Sequence, residues 1–249
     1  MMWRWATREG WLLPAVLSTT AGAVDVIGFL ALGGLFTAHV TGNLVIVAVH
    51  YITGGFGEIG PLLSVPVFIV VLGAVSIATL AAEKAGYCSR RALLVLQAAL
   101  LAGSLGVGVA FGPFADADRP LAVVAGMLAV AAMATQNALV RLSLPGTPST
   151  AAMTTNTTQL TVDLATLARG QGHPDEIARA RRRASLILPC VVGFVAGSAC
   201  GAVLEVHFDL CALALPVVLA VLAVALDAWR GADTCANPAG STPRRVSDG

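Results

Sequence analysis

The segment FTAHVTGNLV, residues 36–45, decides the fold because it sets polar and helix-weakening residues inside a long apolar region. The sequence around it is apolar almost without a break from Trp11 to Ile52. Four residues form the interruption: His39, Thr41, Gly42 and Asn43. What they do there depends on the solvent that surrounds the chain.

The composition is that of an integral membrane protein. Of the 249 residues, 57% are hydrophobic and 12% are charged, and the mean hydropathy is +0.81. Soluble domains are roughly 25% charged, and a membrane-spanning helix needs about 20 mostly apolar residues. Windows of that kind lie near residues 12–35, 62–82, 92–112, 120–140, 184–204 and 210–229. We therefore expect an all-α integral membrane protein with about six transmembrane helices.

The placement of charge predicts the orientation. Arginines and lysines precede the first span and follow the second, fourth and sixth, whereas the other connections carry acidic residues such as Glu58, Asp116 and Asp209. Positively charged loops stay in the cytoplasm, so both termini should be cytoplasmic, which requires an even number of spans. Arg4, Arg8 and the apolar run after them also resemble a secretory signal, but the apolar run is long enough to remain in the bilayer.

The chain divides into five segments. We predict a cytoplasmic N-terminus with interfacial tryptophan anchors at 1–11, a first membrane repeat at 12–112, a periplasmic loop at 113–119, a second membrane repeat at 120–229, and a disordered cytoplasmic tail at 230–249. The tail is predicted from its Gly, Pro and Ser content.

The two membrane segments resemble each other. In each, a span with a polar residue is followed by a Gly- or Pro-bearing stretch, a threonine and asparagine motif (VTGN or TTNTT), and a short helical stretch. Asp25 lies 18 residues before Asn43, and Asn137 lies 19 before Asn156. Units of three spans enter the membrane from opposite sides, so the sequence predicts two three-span inverted repeats, an arrangement of many secondary transporters.

Each repeat should contain an interrupted or re-entrant element. Residues 37–53 would dip in from outside and 149–168 from the cytoplasm, with short helices beginning near Asn43 and Asn156. Irregular backbone is tolerated at membrane depth only where protein or a water-filled cavity surrounds it. One alternative is that residues 37–53 form part of a long bent span. Another is that residues 149–169 form an amphipathic connector on the cytoplasmic surface.

Polar residues of these elements form the candidate site. The predicted solute-binding residues are Thr41, Gly42, Asn43, Thr154, Thr155, Asn156 and Gln159. Helix N-termini at this depth would favour an anion or a carboxylate. Asn156, Gln159 and Asp163 have the spacing of one helical face.

Asp25 is the single residue that most clearly indicates a function, because an ionisable group inside a membrane span is energetically costly and is by default interpreted as functional. We expect Asp25, with Asp163, to couple solute movement to protons or ions. A structural role for Asp25, hydrogen-bonded to groups such as Thr20 or Asn137, remains open. Gln136 and Asn137 are candidates for polar contacts between helices.

Other function classes lack their motifs. The five cysteines and four histidines show no metal-ligand spacing, and no phosphate-binding loop or nucleophile motif is present, so we expect no metal, no cofactor and no enzymatic activity. The arginines at 179–183 suit a topology signal that attracts anionic lipid rather than a nucleic-acid site. The predicted partners are the lipid bilayer and a small polar or anionic solute, and a homo-oligomer is compatible with the sequence.

The stretches AVDVIGFLALGGLFTAHVTGNLVIVA and QNALVRLSLPGTPSTAAMTTNTTQL resemble the two signature blocks of the YoaK family of bacterial inner-membrane proteins. The resemblance covers about residues 12–229 and implies a six-span protein of the bacterial inner (plasma) membrane. It implies no substrate, because the family is a domain-of-unknown-function family. One departure is TTN at 154–156, where the family pattern has a threonine-glycine pair.

Two functions therefore remain from the sequence. The first is a transporter or permease whose solute binds near the midplane between the interrupted helices, with possible proton coupling through Asp25. The second is a non-transporting membrane scaffold or accessory subunit in which the same polar residues only join helices. Solute identity, transport direction and coupling ion are left open.

Overall fold

A computed structural model describes residues 10–53, 59–87, 89–170 and 173–230. The tryptophans before Trp11 and the predicted tail after residue 230 lie outside these residues. The described chain forms eight α-helices and one short 3-10 segment. They are α1 (Leu12–Ala31), α2 (Val40–Thr53), α3 (Ile59–Lys84), α4 (Arg90–Phe111), α5 (Pro120–Ser143), α6 (Met153–Arg169), α7 (Pro174–Phe208), the 3-10 segment Asp209–Leu213, and α8 (Ala214–Arg230).

Five helical stretches of the described chain are long and apolar enough to cross a membrane. They are Leu12–Ala31, Ile59–Lys84, Arg90–Phe111, Pro120–Ser143 and Pro174–Trp229. Four predicted windows fall on α1, α3, α4 and α5, and the last two fall within the fifth stretch, which the 3-10 segment divides. A multi-pass membrane protein is therefore the class to which this fold belongs.

Three apolar clusters mark levels along the helix bundle, and the labels lower, middle and upper carry no reference to a membrane side. The lower cluster joins the starts of α1 and α4 to the ends of α5 and α8. The middle cluster joins the central parts of α1, α4 and α5 to α8, and it includes Ala38 and Ala151. The upper cluster joins the end of α1 to the start of α5 and to the 3-10 segment before α8. Partly buried Val75 and Phe68 of α3 and Leu204 of α7 belong to these clusters as well. The six long helices α1, α3, α4, α5, α7 and α8 therefore alternate in direction.

The helices of the two halves pack in corresponding ways. α1 packs against α7 and α8, and α5 packs against α3 and α4. α2 lies on α3, α6 lies on α7, and α4 packs against α8. If α1 to α4 are exchanged with α5 to α8 in order, the same set of helix contacts results. α1 and α5 are the most enclosed helices, since 67% and 72% of their apolar windows are buried.

Glycines allow α1 and α7 to meet backbone to backbone. A Cβ atom on Gly197 would lie 2.1 Å from the carbonyl oxygen of Thr19, and one on Gly22 would lie 2.2 Å from that of Phe194. No side chain fits there without moving the helices apart. The glycine-rich stretch of α7 is thus used for close helix packing.

A buried ion pair joins α4 to α8 at the lower end of the bundle. The Nε atom of Arg90 lies 2.5 Å from Oδ1 of Asp227, and the Nε atom of Arg91 lies 3.6 Å from Oδ2. The Asp227 side chain is 3% exposed. This contact connects the first helix turn of α4 to the last turn of α8.

Candidate functional site

The chain turns back after α1. Gly33 and Gly34 have positive φ values of 64° and 75°, which a side chain disfavours, and they end the helix. Leu35 belongs to the upper cluster, whereas Ala38, three residues later, belongs to the middle cluster. Residues 37–53 therefore return toward the middle of the bundle instead of extending α1.

Asp25 holds this turn in place. Its Oδ1 atom accepts hydrogen bonds from the backbone N–H of Thr37 (2.8 Å), the Thr37 hydroxyl (3.0 Å) and the N–H of Ala38 (2.5 Å). Its Oδ2 atom contacts Nδ1 of His39. The Asp25 side chain is buried, whereas the His39 ring is 36% exposed and packs edge-on against Phe194. The pair thus links a buried carboxyl group to a partly accessible imidazole.

The sequence suggests Thr20 and Asn137 as hydrogen-bond partners of Asp25, but both side chains bond to other groups. The Thr20 hydroxyl donates to the carbonyl oxygen of Val16, and the Asn137 amide donates to that of Met133, each within its own helix. Asp25 instead binds residues 12 to 14 positions further along the chain.

Asn43 closes the first turn. Its Oδ1 atom accepts from the N–H of Phe36 (2.9 Å), and its Nδ2 atom donates to the carbonyl oxygen of Phe36 (2.7 Å) and to the hydroxyl of Ser64 (2.7 Å). The residue is fully buried. α2 begins at Val40 rather than near Asn43, so Asn43 lies in the first turn of the helix.

The second turn, between α5 and α6, follows the same plan. Gly146 has φ +82°, and the chain passes from Leu144 in the lower cluster to Ala151 in the middle cluster. Nδ2 of Asn156 donates to the carbonyl oxygen of Ser149 (2.6 Å), again seven residues back. α6 begins at Met153, three residues before the predicted start.

The two turns align residue by residue at a constant spacing. FTAHVTGN at 36–43 stands against STAAMTTN at 149–156, with identical residues at Thr37 and Thr150, Ala38 and Ala151, Thr41 and Thr154, and Asn43 and Asn156. The asparagine bonds to Phe36 and Ser149 keep the same register. In this register Asp25 corresponds to Ala138, so the polar residue that holds the turn differs between the halves.

Gln136 anchors the second turn. Its Nε2 atom donates to the hydroxyl of Thr150 (2.9 Å) and to the carbonyl oxygen of Leu17 in α1 (3.0 Å), while Oε1 accepts from Gln97 of α4 (2.7 Å). Gln136 thus connects α5 to α1, to α4 and to the second turn.

A cavity lies beside the second turn and has a volume of about 640 Å³. Its lining comprises Asn137, Val140, Arg141, Leu144, Pro145, Gly146, Thr147, Pro148, Ser149, Ala152, Thr155, Asn156, Gln159, Arg183, Leu186 and Ile187. It contains three of the predicted solute-binding residues, Thr155, Asn156 and Gln159. Thr41, Gly42, Asn43 and Thr154 are not among the lining residues.

Small side chains make room for the cavity at the second turn. At the first turn the Phe36 ring lies over Gly42, where a Cβ atom would be 2.9 Å from the ring. The corresponding residues of the second turn are Ser149 and Thr155, and both line the cavity. Residue 155 is a threonine where the family pattern has a glycine. The second turn needs no glycine there, because Ser149 stands where the first turn has the Phe36 ring.

Charged side chains meet at the cavity wall formed by α6 and α7. Nε and Nη2 of Arg183 donate to Oδ2 (3.1 Å) and Oδ1 (2.5 Å) of Asp163, and Nε2 of Gln159 donates to Oδ1 (3.1 Å). Hydrogen bonding by Arg183 lowers the pKa of Asp163. Asn156 and Asp163 lie on the buried face of α6, which packs on α7 through Leu160, and Gln159, expected on the same face, is half-buried.

The sequence interpretation missed three contributors to these sites. The charge pattern predicts a topology role for Arg141 and Arg183, with lipid attraction for the latter, and the spacing of His39 predicts no metal site; none of these predicts a role at the turns or the cavity. Arg141 lies four residues after Asn137, so one helical face carrying both was a detectable signal. Within the described residues, no group of three or more His, Cys, Asp or Glu side chains could hold a metal ion.

Comparison with known proteins identifies similar sequences but no similar solved structure. Residues 13–226 match the family described as Protein of unknown function (DUF1275). A 34-residue segment is 59% identical to the UPF0700 transmembrane protein YoaK of Bacillus subtilis (strain 168), and it covers 14% of this chain and 15% of that protein. No solved structure matches the chain significantly.

Proposed function

This chain belongs to the family described as Protein of unknown function (DUF1275), and we propose that it is a secondary transporter, or permease, for a small polar or anionic solute. The observation that carries the proposal is the cavity beside the second turn, which polar and apolar side chains line together. Volumes of 300–1,000 Å³ with a few convergent polar groups are typical of small-molecule sites.

We further propose six membrane crossings arranged as two inverted repeats. The alternating directions of the six long helices and the exchangeable contacts of the two halves support this topology. Ala38 and Ala151 occupy corresponding positions and belong to one apolar cluster, which supports two re-entrant elements that approach the same level. Transporters with inverted repeats bind solutes near such broken elements.

In this proposal most of the solute-binding residues belong to the second re-entrant element. Thr155, Asn156 and Gln159 are its predicted members, and Arg141 and Arg183 join them. Asn43 and the groups around it hold the first element in its turn. The solute therefore meets α5, α6 and α7.

Proton or ion coupling is proposed to pass through the Asp25 and His39 pair. A buried carboxyl group in contact with an accessible imidazole can exchange a proton with water through the ring. Asp163 is a second coupling candidate because it binds Arg183 at the cavity wall.

The proposed location is the bacterial inner membrane with both termini in the cytoplasm. Arg90 and Arg91 begin α4, and Arg141 ends α5, which places the positively charged connections at the lower end of the bundle. Under this orientation the cavity faces the cytoplasm.

A non-transporting scaffold or accessory subunit is the alternative, and solute binding separates the two functions. We would follow thermal unfolding of the detergent-solubilised protein against anionic, neutral and cationic solutes. A ligand at about 100 times its dissociation constant stabilises the native state by roughly 2.7 kcal/mol. A solute that stabilises the protein is then tested for uptake into proteoliposomes with and without a pH gradient.

A pair of variants makes this test specific. Ala152→Phe adds a ring at an exposed residue that lines the cavity just before α6, whereas Ala165→Phe adds the same ring at an exposed position of α6 outside the lining. Transport through the cavity requires that Ala152→Phe lose the stabilisation and the uptake while Ala165→Phe keeps both. A protein that responds to no solute and takes none up is a scaffold.

A further inference from the structure

The charges around the cavity are unbalanced. Its lining contains two cationic side chains, Arg141 and Arg183, and no acidic one. Asp163 neutralises Arg183 through two hydrogen bonds. Arg141 makes no ion pair with any described residue. The group as a whole therefore carries one uncompensated positive charge.

The remaining walls are of two kinds. Asn137, Thr155 and Gln159 bring amide and hydroxyl groups, while Val140, Leu144 and Ile187 bring apolar surface. A ligand that suits both walls has one polar end and a short apolar body. Arginine binds carboxylates through two parallel hydrogen bonds, and such charge-assisted bonds are stronger than neutral ones.

We propose that this cavity binds a small organic monoanion, a carboxylate with a short apolar body, and that Arg141 is its principal charged contact. This inference rests on the proposed function and specifies its solute class. One negative charge balances Arg141 and leaves the pair of Arg183 and Asp163 intact. A dianion would bring a second negative charge without a counter-charge in the cavity, and a neutral or cationic solute would make no charge-assisted bond with the exposed Arg141 side chain.

The test is calorimetric titration of the purified full-length protein in detergent at constant ionic strength. The probes are butyrate and benzoate as monoanions, butyramide as the neutral analogue of butyrate, and succinate as the dianion. We expect the monoanions to bind more tightly than butyramide and succinate. Arg141→Gln should weaken butyrate and benzoate binding by about tenfold to a hundredfold, because it removes a charged partner of the carboxylate.

Arg181→Gln is the matched control, since Arg181 is an exposed arginine outside the cavity lining. It should leave monoanion binding unchanged, and Arg141→Lys should restore part of it. Equal weakening by the two Gln variants, tighter binding of butyramide or succinate, or no binding of any probe overturns the inference. Monoanion binding that depends on Arg141 but is not followed by uptake into proteoliposomes upholds the inference and refutes transport.

Discussion

Replacing Asn43 by alanine tests whether this residue holds the first turn. The substitution removes three hydrogen bonds, two to the backbone of Phe36 and one to Ser64. The N–H and carbonyl groups of Phe36 then lose the partner that satisfied them beside a fully buried site. Asn156→Ala is the matched comparison, because the corresponding asparagine makes one backbone bond, to Ser149, and lies next to a cavity.

The expected cost follows from these partners. A buried backbone group left without a hydrogen bond costs about 1–3 kcal/mol, so the two groups of the partly buried Phe36 together imply at most about 2–6 kcal/mol for Asn43→Ala. Ser64 contributes little, since its hydroxyl keeps a bond to the carbonyl oxygen of Pro61. Asn156→Ala should cost about 1–3 kcal/mol or less, because water in the cavity can reach the freed carbonyl.

The measurement is reversible unfolding in mixed micelles with increasing denaturing detergent, followed by circular dichroism. The wild-type protein and both variants are compared under the same conditions, and Asn43→Ala should show the larger loss of unfolding free energy. Equal losses for the two variants, or a loss below about 1 kcal/mol for Asn43→Ala, would refute the hydrogen-bond argument.

Three further predictions use the same unfolding assay. Gly197→Ala should destabilise the protein by about 1–3 kcal/mol, because its Cβ would lie 2.1 Å from the Thr19 carbonyl oxygen. Gly73→Ala is the control and should be neutral, because no atom lies close to that position. Equal changes in stability for the two variants would contradict the close packing of α1 and α7. Asp227→Ala should cost about 3 kcal/mol by removing the carboxylate beside the buried Arg90, and an unchanged stability at high and low salt would exclude a contributing ion pair. Gln136→Leu should cost about 1–3 kcal/mol through its lost bonds to α1, α4 and the second turn, and a more stable variant would show that this network is dispensable.

Much of the fold could be predicted because hydropathy and length alone specify long apolar helices. The interruption at 36–45 was visible as polar residues, and the helix before it does end at Ala31. The starts of α2 and α6 were predicted three residues too late. Glycine and threonine are tolerated in a first helical turn, where the N–H groups have no partner within the helix, so the helices begin before the asparagines.

The site was harder to predict because it depends on tertiary register. The sequence comparison matches Asp25 with Asn137. The alignment of the two turns instead matches Val24 with Asn137, so the predicted register of the two halves is wrong by one residue. Only in the second register do Phe36 and Ser149 correspond, so that a large ring of the first turn is matched by a small side chain that lines the cavity of the second. The partner of Asp25 is likewise set by how the chain turns back, which hydropathy does not encode.

The central helix of each half packs against helices of the other half, and this has a consequence for how the protein folds during its synthesis. α1 is made before α7 and α8, yet both of these later helices pack on it, and Gly22 of α1 meets the backbone of α7. The first half cannot enclose its own central helix, so a nascent chain that ends near residue 112 keeps Gly22 and the surface around it in contact with lipid. Because these contacts join distant parts of the sequence, the native helix bundle can be completed only after the second half has been inserted.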